Sequence, residues 1–334
     1  MDDLKFSVCI PTYNRGGFIG ETIKGVLAQT YANYEIVISD NNSQDDTEDV
    51  VKGFKDKRIR YFRNESNAGF TGNLELCKQR SSGDVLYLLS DKNIIAKDAL
   101  MKLYRAFKLS DDIGAVVLPY YWYGRDAGTP VRAKPLYDKD KDAIISIESG
   151  EKAVIAVFSV VDNPSAFALR KKYIDLPFHE DSFVEFVYPF ASIFKRRKVV
   201  FLKDYTMACP AFVPSGSQKS FVYMKSPVQN WVDLFNAVFF EKEFEKIRKG
   251  CVKNFVAVNY VGLAQVKNYG SYKALFREIY YLIRYRWENI LSLKFWFFSA
   301  GAVIIPAFAL KKVVYFYKNR VNSGLLKNVK PLNR

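Results

Sequence analysis

Short apolar runs alternate with segments that carry apolar residues at helical spacing along residues 5–202. Residues 5–12 (KFSVCIPT) and 34–39 (YEIVIS) are typical of buried strands, and residues 18–29 between them have the helical spacing. Predicted strands cover residues 5–12, 34–39, 59–63, 84–89, 115–121, 167–170 and 199–202, and predicted helices cover residues 18–29, 47–54, 73–80, 99–107, 148–160 and 181–196. This alternation predicts an α/β fold with a mostly parallel sheet that has helices on both faces.

Two segments depart from this pattern. Residues 124–142 (GRDAGTPVRAKPLYDKDKD) are polar and contain Gly and Pro, which predicts a mobile loop or flap. From residue 230 onward the pattern is helical, and within it residues 295–310 (FWFFSAGAVIIPAFAL) are uncharged. A helix of that length measures ~24 Å, less than the ~30 Å of a hydrocarbon core, and Pro306 would bend it. We expect the segment to lie in a membrane interface or re-enter it, the alternative being a buried hydrophobic helix.

The composition is that of a chain with a sizeable core. Apolar residues make up 49% of the 334 residues, which argues against wholesale disorder. The four cysteines are far apart and form no CxxC pair, so we expect buried thiols in a reducing compartment instead of a metal site or disulfides. The N-terminal residues lack a basic region followed by an apolar one, and we expect no secretory signal.

The net charge of +15 belongs mainly to the C-terminal quarter. Residues 1–250 carry 36 Lys+Arg and 33 Asp+Glu, a net of +3, whereas residues 251–334 carry 14 Lys+Arg and 2 Glu, a net of +12. Such a basic region indicates an anionic partner: a membrane surface, a nucleic acid or phosphorylated substrates. No RNA or DNA motif accompanies the charge and the apolar run suits lipid better, so we expect no nucleic acid.

Polar residues follow the first two predicted strands at the sheet edge where ligands bind in such folds. The first strand ends in Pro11-Thr12-Tyr13, followed by Arg15. Tyr13 is suited to stacking on a flat ring and Arg15 to contacting a phosphate. The second strand ends in Asp40 and is followed by Asn42. Asp40 can accept from a base imide or a ribose hydroxyl, although the alternative, an Asx turn with a helix cap, stays open.

Two further loops point to the same edge. In residues 64–73 (NESNAGFTGN), Gly69 permits close approach of a ligand to the backbone and Asn73 begins a predicted helix, although a helix-capping loop is the alternative. The strand over residues 84–89 is followed by Asp91 and Lys92. No GxGxxG follows a strand and no P-loop motif is present, so a Rossmann dinucleotide site and a P-loop are unsupported.

The order and spacing of these four loops resemble those of family-2 glycosyltransferases, which have a GT-A fold with a Rossmann-like sheet. The matching stretches are FSVCIPTYNR, YEIVISDNNSQDDT, RNESNAGFTGN and GDVLYLLSDKN. The resemblance is close over about the first 120 residues. Within the family the chain looks most like the branch that builds O-antigen and capsule repeat units, including abequosyltransferase-like enzymes.

The resemblance implies a donor site for a nucleotide-diphosphate sugar. Pro11, Thr12 and Tyr13 would line the nucleotide pocket, Asp40 would bind the base, and Asp91 would lie near the ribose and diphosphate as the first acid of a DxD-like motif. The full set of expected donor-binding residues is Pro11, Thr12, Tyr13, Arg15, Asp40, Asn42, Asn73, Asp91 and Lys92.

The metal-binding part of that site departs from the family pattern. The family usually places a second acid within two positions of the first, and together they hold Mn²⁺ or Mg²⁺ on the diphosphate; here those positions are Lys92 and Asn93. The Lys92 ammonium can supply part of the metal's charge. Alternatively, Asp91 with Asn93 and the phosphates holds a weak metal, or Lys92 points away and the enzyme is impaired. We expect weak or dispensable metal dependence.

Inverting transfer also needs a base that takes the proton of the acceptor hydroxyl. The family supplies an Asp or Glu at the start of a helix after the acceptor-side strand, which corresponds here to residues 178–185 (FHEDSFVE). The candidates, in order, are Asp181, Glu185 and Glu180. Ser182 and Glu185 also have the spacing of a capping box, which would give Glu185 a structural role. His179, the only histidine, is expected to be at most a neighbour of the site.

The expected function is therefore inverting transfer of a sugar to a lipid-linked saccharide in cell-surface polysaccharide synthesis. We expect a GT-A domain over residues 1–228, with a nucleotide-binding half (1–120) and an acceptor half (121–228), and a basic helical region over residues 229–334 that associates with an anionic membrane through residues 295–310. The enzyme would act at the cytoplasmic face of the inner membrane, as a peripheral or monotopic protein. A non-catalytic nucleotide-sugar-binding or scaffold protein on the same fold is the alternative.

Overall fold

The computed structural model describes residues 3–180, 183–211, 220–312 and 324–332. The strands are β1 (Phe6–Thr12), β2 (Tyr34–Asp40), β3 (Ile59–Arg63), β4 (Val85–Leu88), β5 (Ile94–Ile95), β6 (Ile113–Val117), β7 (Tyr120–Tyr123), β8 (Pro130–Ala133), β9 (Ala143–Ile145), β10 (Phe167–Arg170), β11 (Lys198–Phe201) and β12 (Met207–Pro210). The α-helices are α1 (Gly16–Leu27), α2 (Thr47–Lys52), α3 (Gly69–Arg80), α4 (Ala99–Phe107), α5 (Glu151–Phe158), α6 (Val187–Arg196), α7 (Pro227–Val238), α8 (Glu245–Asn254), α9 (Gly262–Tyr269), α10 (Tyr272–Tyr285) and α11 (Leu293–Ile304).

The central sheet has the strand order β3-β2-β1-β4-β10-β6-β11-β9. Strands β1, β2, β3 and β4 are parallel, as the sequence predicts, and β1 and β2 are buried along their whole length. The sheet is nevertheless mixed, because β10 runs antiparallel to both β4 and β6, and β9 runs antiparallel to β11. The alternation of strands and helices cannot reveal this, since an antiparallel insertion leaves the same local pattern.

A second sheet has four strands in the order β5-β12-β7-β8. It accounts for two differences from the sequence prediction. The run 115–121 is divided between β6 and β7, which belong to different sheets, and the predicted loop 124–142 contains β8, paired with β7. The tail at residues 324–332 packs against this sheet, and the Leu332 N–H donates to the Tyr121 hydroxyl at 2.9 Å.

Helix positions follow the apolar spacing, and the starts of α3 and α6 differ most from the prediction. Helix α4 covers the predicted residues and buries Leu100, Leu103 and Phe107 against the sheet. Helix α3 begins at Gly69, four residues before the expected start, and α6 begins at Val187 instead of within residues 181–186. In both segments polar residues precede the helix, and polarity alone does not separate a cap from a loop.

The C-terminal helices are joined to the α/β part through an aromatic core. Phe158 of α5 contacts Phe190 of α6 and both Trp231 and Phe235 of α7, with ring centroids 4.9–6.2 Å apart. In the described part of the chain, no helix has the length and apolar character needed to cross a bilayer. Helix α11 ends at Ile304, before Pro306, and buries Phe295 while Leu293 and Phe297 are 89% and 75% exposed.

Candidate active site

The ends of the first two strands coincide at one edge of the central sheet. Strands β1 and β2 pair in parallel so that Thr12 lies opposite Asp40, the last residue of its strand. The Asn41 N–H then donates to the Thr12 carbonyl at 2.9 Å, which carries the pairing one residue past the strands. The sequence prediction that these two strand ends share an edge is therefore confirmed in the structure.

The two loops that leave this edge are tied to one another. The Ser43 hydroxyl accepts from the Asn14 N–H at 2.9 Å, and the Asn14 side chain accepts from the Gln44 N–H at 2.7 Å. Asn14 and Asn42 have φ values of 53° and 67°, a left-handed conformation that Asn tolerates better than most residues. At the start of α1, a Cβ on Gly16 would lie 1.7 Å from Asp46 Oδ1, so the loops approach too closely for any side chain there.

Asp40 is fully buried under these loops. Its Oδ1 accepts from the Ser43 N–H at 2.8 Å, and its Oδ2 accepts from the Tyr61 hydroxyl at 2.6 Å. The structural alternative from the sequence is thus present only in part: Asp40 holds the turn after β2 through the N–H three residues on, and Asp46, the N-cap residue of α2, makes no capping hydrogen bond. Each carboxylate oxygen retains a second lone pair, so base recognition by Asp40 stays a prediction that must coexist with this structural role.

A network of asparagine side chains lies beside Asp40. Asn41 accepts from Asn64 Nδ2 at 3.0 Å and from the Ala68 N–H at 2.8 Å, and it donates to Asn67 Oδ1 and the Gly69 carbonyl. Asn73, which the sequence analysis assigned to donor binding, is 3% exposed and exchanges hydrogen bonds with Ser39. The structure therefore places Asn73 beneath the edge, where it holds the loop before α3 in position.

The residues expected nearest the nucleotide differ in accessibility. Pro11 and Thr12 are buried within β1, whereas Tyr13, the next residue, is 40% exposed. Asn42 is partly exposed, and its side chain accepts from Arg63 at 3.2 Å. Among these residues Tyr13 has the ring surface available for stacking, which agrees with the role expected from the sequence.

Asp91 lies between two cations at the same edge. Arg15 Nε is 3.7 Å from Asp91 Oδ1, and the Asp91 side chain is 13% exposed. Burial raises the pKa of Asp91 to about 6, against the opposing effects of Arg15, Thr12 and Lys92. Burial also lowers the pKa of Lys92, although the adjacent Asp91 carboxylate opposes the shift. Arg15, Asp91 and Lys92 follow two different strands in the sequence. They come together because α1 begins directly after β1, which brings Arg15 towards the end of β4.

The donor atoms around Asp91 do not fit a divalent cation held by the protein. Asn93 is 1% exposed, and its Nδ2 donates to Ser165 Oγ at 3.1 Å, inside the structure. Within residues 3–180, 183–211, 220–312 and 324–332, no three His, Cys, Asp or Glu side chains come together as metal ligands. One carboxylate flanked by a guanidinium and an ammonium is a poor donor set for Mg²⁺ or Mn²⁺. The chemistry of the site is closer to that of a phosphate-binding cluster.

The segment expected to carry the catalytic base lies against the start of α3. The Phe178 N–H donates to Glu75 Oε1 at 2.6 Å, and the His179 ring stacks on Tyr188 with centroids 4.2 Å apart. Of the three candidates, Glu180 is exposed and Glu185 is 6% exposed. Asp181, the first candidate, lies outside the described residues, as does Ser182 of the expected capping box. The assignment of the base stays a prediction.

The chain resembles curated glycosyltransferases over about a third of its length. It is 36% identical over 102 residues to the GalNAc(5)-diNAcBac-PP-undecaprenol beta-1,3-glucosyltransferase of Campylobacter jejuni, covering 30% of this chain and 33% of the relative. It is 36% identical over 109 residues to the UDP-Glc:alpha-D-GlcNAc-diphosphoundecaprenol beta-1,3-glucosyltransferase WfgD of Escherichia coli, covering 32% and 43%. The matched segment thus spans less than half the length of these relatives.

Solved structures extend the likeness of fold to nearly the whole chain. The structure of Staphylococcus aureus TarS 1-349 superposes with a TM-score of 0.63 at 14% identity, covering 93% of this chain and 91% of that one. The mannosyltransferase PcManGT from Pyrobaculum calidifontis gives a TM-score of 0.54 at 14% identity, covering 91% and 87%. These likenesses support the GT-A fold. Because the model of glycosyl transferase family 2 matches residues 7–174, just over half of the chain, the chain belongs to that family.

Proposed function

We propose that this chain is an inverting glycosyltransferase that moves a sugar from a nucleotide-diphosphate sugar to a lipid-linked saccharide in cell-surface polysaccharide synthesis. The observation that carries the proposal is the Arg15–Asp91 pair, 3.7 Å apart, at the edge where β1 and β2 end. In a family-2 chain this is the place for the diphosphate. The names of the two bacterial relatives, whose acceptors carry undecaprenol diphosphate, support the acceptor class. An O-antigen or capsule role is part of the proposal.

The donor would bind with its base near Asp40, Tyr13 and Asn42 and its diphosphate near Asp91. Arg15 and Lys92 would stabilise the negative charge that develops on the leaving diphosphate, since preorganised cations act most strongly where charge appears in the transition state. The reaction would then depend weakly on Mg²⁺ or Mn²⁺ or not at all. Asp91 would position Arg15 and contact the ribose or the first phosphate.

The transfer is a single displacement. A base, with Asp181 the first candidate and Glu185 and Glu180 next, takes the proton of the acceptor hydroxyl. The acceptor oxygen forms a bond to the anomeric carbon as the bond from that carbon to the diphosphate oxygen breaks. The electron pair leaves with the nucleoside diphosphate. Because the nucleophile attacks opposite the leaving group, the anomeric configuration is inverted.

Membrane association would bring this site to its acceptor. Large apolar residues of the C-terminal helices that are at least 48% exposed include Tyr272, Phe276, Tyr280, Trp287, Ile290, Leu291, Leu293, Phe297, Ile304 and Phe308. Residues 251–334 also have a net charge of +12, which suits an anionic bilayer. We propose peripheral or monotopic attachment at the cytoplasmic face of the inner membrane, with residues 295–310 in the interface.

A donor screen tests this function. Thermal shift is measured with UDP-, GDP-, dTDP- and CDP-sugars, each with Mn²⁺ and with EDTA. We expect one nucleotide-diphosphate sugar to raise the melting temperature in EDTA, and Arg15→Gln to reduce the shift. Release of nucleoside diphosphate is then followed in the presence of lipid-linked saccharides. Binding without any release would favour the non-catalytic nucleotide-sugar-binding protein, and no binding by any donor would contradict the proposal.

A further inference from the structure

A cavity of about 290 Å³ lies between the acceptor-side segment and the C-terminal helices. Its wall includes residues from three parts of the chain: His179, Tyr188 of α6, Asn230 and Asp233 of α7, and Tyr281 of α10. The volume is at the lower end of the ~300–1,000 Å³ typical of small-molecule sites. None of the residues assigned to the donor site from the sequence lines it.

Asn230 is the feature that indicates a ligand. Its side chain is 6% exposed, and no atom in the described part of the chain accepts a hydrogen bond from its Nδ2. A buried amide donor without an acceptor is costly, because it has lost its hydrogen bonds to water and gained none. Since Asn230 lines the cavity, a bound ligand with a hydroxyl or carbonyl oxygen would supply that acceptor.

The other groups around the cavity combine polar and flat apolar surfaces. Gln229 donates to Asp233 Oδ1 at 2.7 Å and accepts from the Tyr285 hydroxyl at 2.6 Å, so the amide and the carboxylate are held in place. The stacked rings of His179 and Tyr188 provide a flat surface on the other side. Amides and a carboxylate bind hydroxyl groups, and aromatic faces bind the C–H surface of a sugar ring.

The charged groups in the wall are Lys225, Arg277 and Asp233, and both cations already donate to backbone carbonyls of the chain. The guanidinium of Arg277, which also lines the cavity, donates to the backbone carbonyls of Tyr223, Met224 and Lys225 at 2.6–2.8 Å. Its charge is therefore used largely to hold residues 223–225. The Asp233 carboxylate in the wall would repel a phosphate.

The cavity is connected to the donor edge by direct contacts. His179 of the segment 178–180 forms part of its rim, and Lys225, another residue of the wall, donates from Nζ to the Glu180 carbonyl at 2.8 Å. On its other side this segment contacts the first turn of α3, where the Thr71 hydroxyl donates to the His179 carbonyl at 3.5 Å. The loop before α3 is the one held by Asn41. A ligand in the cavity therefore lies beside the segment that carries the base candidates.

We propose that this cavity is a subsite for the saccharide of the acceptor, with Asn230 and Asp233 binding its hydroxyl groups. The inference rests on the proposed function and adds to it a site made by the C-terminal helices. It assigns to α7 and α10 a part in acceptor selection in addition to packing.

Saturation-transfer NMR on the full chain tests the subsite. The probes are the methyl glycosides of glucose, galactose, N-acetylglucosamine and N-acetylgalactosamine, measured with the nucleoside diphosphate selected by the donor screen in excess. We expect at least one glycoside to bind with the nucleotide present. Asn230→Leu and Asp233→Asn should each weaken that binding about fivefold, as expected for the loss of one hydrogen bond. Asn236→Leu, on the exposed side of the same helix, is the matched control and should leave it unchanged.

The outcomes separate the two proposals. The subsite would be overturned if none of the four glycosides bound, or if the three variants bound a glycoside equally. Binding of inorganic pyrophosphate instead of a glycoside would also overturn it. Asp233 is exposed, so Asp233→Asn is expected to fold even if Asn230→Leu does not. Donor binding by thermal shift, measured on the same samples, reports on the proposed function independently of the cavity.

Discussion

The donor edge and the C-terminal helical region place their polar and apolar groups in opposite ways. At the donor edge Asp40, Asn41 and Asn73 are buried and held by several hydrogen bonds each. In the C-terminal region Leu293 and Phe297 are largely exposed while cations surround them in the sequence. The first arrangement fixes the loops at the edge by hydrogen bonds, and the second leaves apolar side chains exposed, which we propose to lie against a membrane. We therefore expect changes in the first to affect donor turnover and changes in the second to affect attachment.

The largest effect is expected at the catalytic base that the sequence predicts. Asp181→Asn should reduce transfer by about 10²–10⁴-fold because it removes the general base, and it should leave donor binding intact. Glu185→Gln and Glu180→Gln serve as matched carboxylate-to-amide controls with smaller expected losses. The rate of transfer and the donor thermal shift are measured for all three. Near-normal turnover of Asp181→Asn would move the base to another residue.

Arg15→Gln should lower kcat/KM for the donor by about 10–100-fold, the effect of losing one charge-assisted interaction with the diphosphate. Lys24→Gln is the control, since Lys24 lies on the same helix α1 and pairs with Glu21 on the surface. Membrane attachment should be the same in both variants. If Arg15→Gln turned over donor as fast as Lys24→Gln, Arg15 would have no part in diphosphate binding.

Asn41→Leu should lower the free energy of unfolding by about 2 kcal/mol or more, because it leaves buried partners of Asn41 without hydrogen bonds. Urea-induced unfolding measures the change. Asn33→Leu is the comparison, since Asn33 is exposed and makes one described side-chain hydrogen bond, to the Asp3 carbonyl. Equal stability of the two variants would show that the asparagine network contributes little to the rigidity of the donor edge.

The smallest effect is expected for single exposed residues of the C-terminal region. Phe297→Ser should weaken binding to phosphatidylglycerol vesicles about tenfold, which corresponds to losing the burial of one large apolar side chain. Leu109→Ser, at a residue 58% exposed in the α/β part, is the control. Flotation reports binding, and donor affinity is measured in parallel. Unchanged flotation of Phe297→Ser would remove α11 from the membrane contact.

The sequence predicts the donor half better than the acceptor half, and the reason is physical. Strands β1, β2 and β4 are buried and run parallel to one another and to β3, so their apolar runs and polar ends show in the local pattern. The pairing of Thr12 with Asp40 follows from that pattern. The antiparallel direction of β10 depends on pairing with β4 and β6, which are distant in sequence, and local periodicity does not record it. Strand β8 lies in a run of Gly, Pro and charges that is typical of loops.

The site residues also divide into those that the local sequence pattern indicates and those that it does not. Asp91 and Arg15 each follow a predicted strand, which indicates a place at the sheet edge, and the structure brings the two side chains together. The roles of Asn41 and Asn64 were missed because their partners come from different loops, and single asparagines in loops are common. The signal that was available is the number of asparagines in the two loops, at positions 41, 42, 64, 67 and 73. The cavity at Asn230 requires residues from α6, α7 and α10, and no local motif marks it.

Release of nucleoside diphosphate from the selected nucleotide sugar tests the central claim most directly. The rate is measured with lipid-linked saccharide acceptors, in EDTA and in Mn²⁺, for the unmodified chain and for Asp91→Asn. We predict acceptor-dependent release that persists in EDTA and falls at least about tenfold in Asp91→Asn. A rate that EDTA abolishes and Mn²⁺ restores would contradict the role of Arg15 and Lys92 as the cations of the site. Absence of release under all conditions would contradict the glycosyltransferase itself.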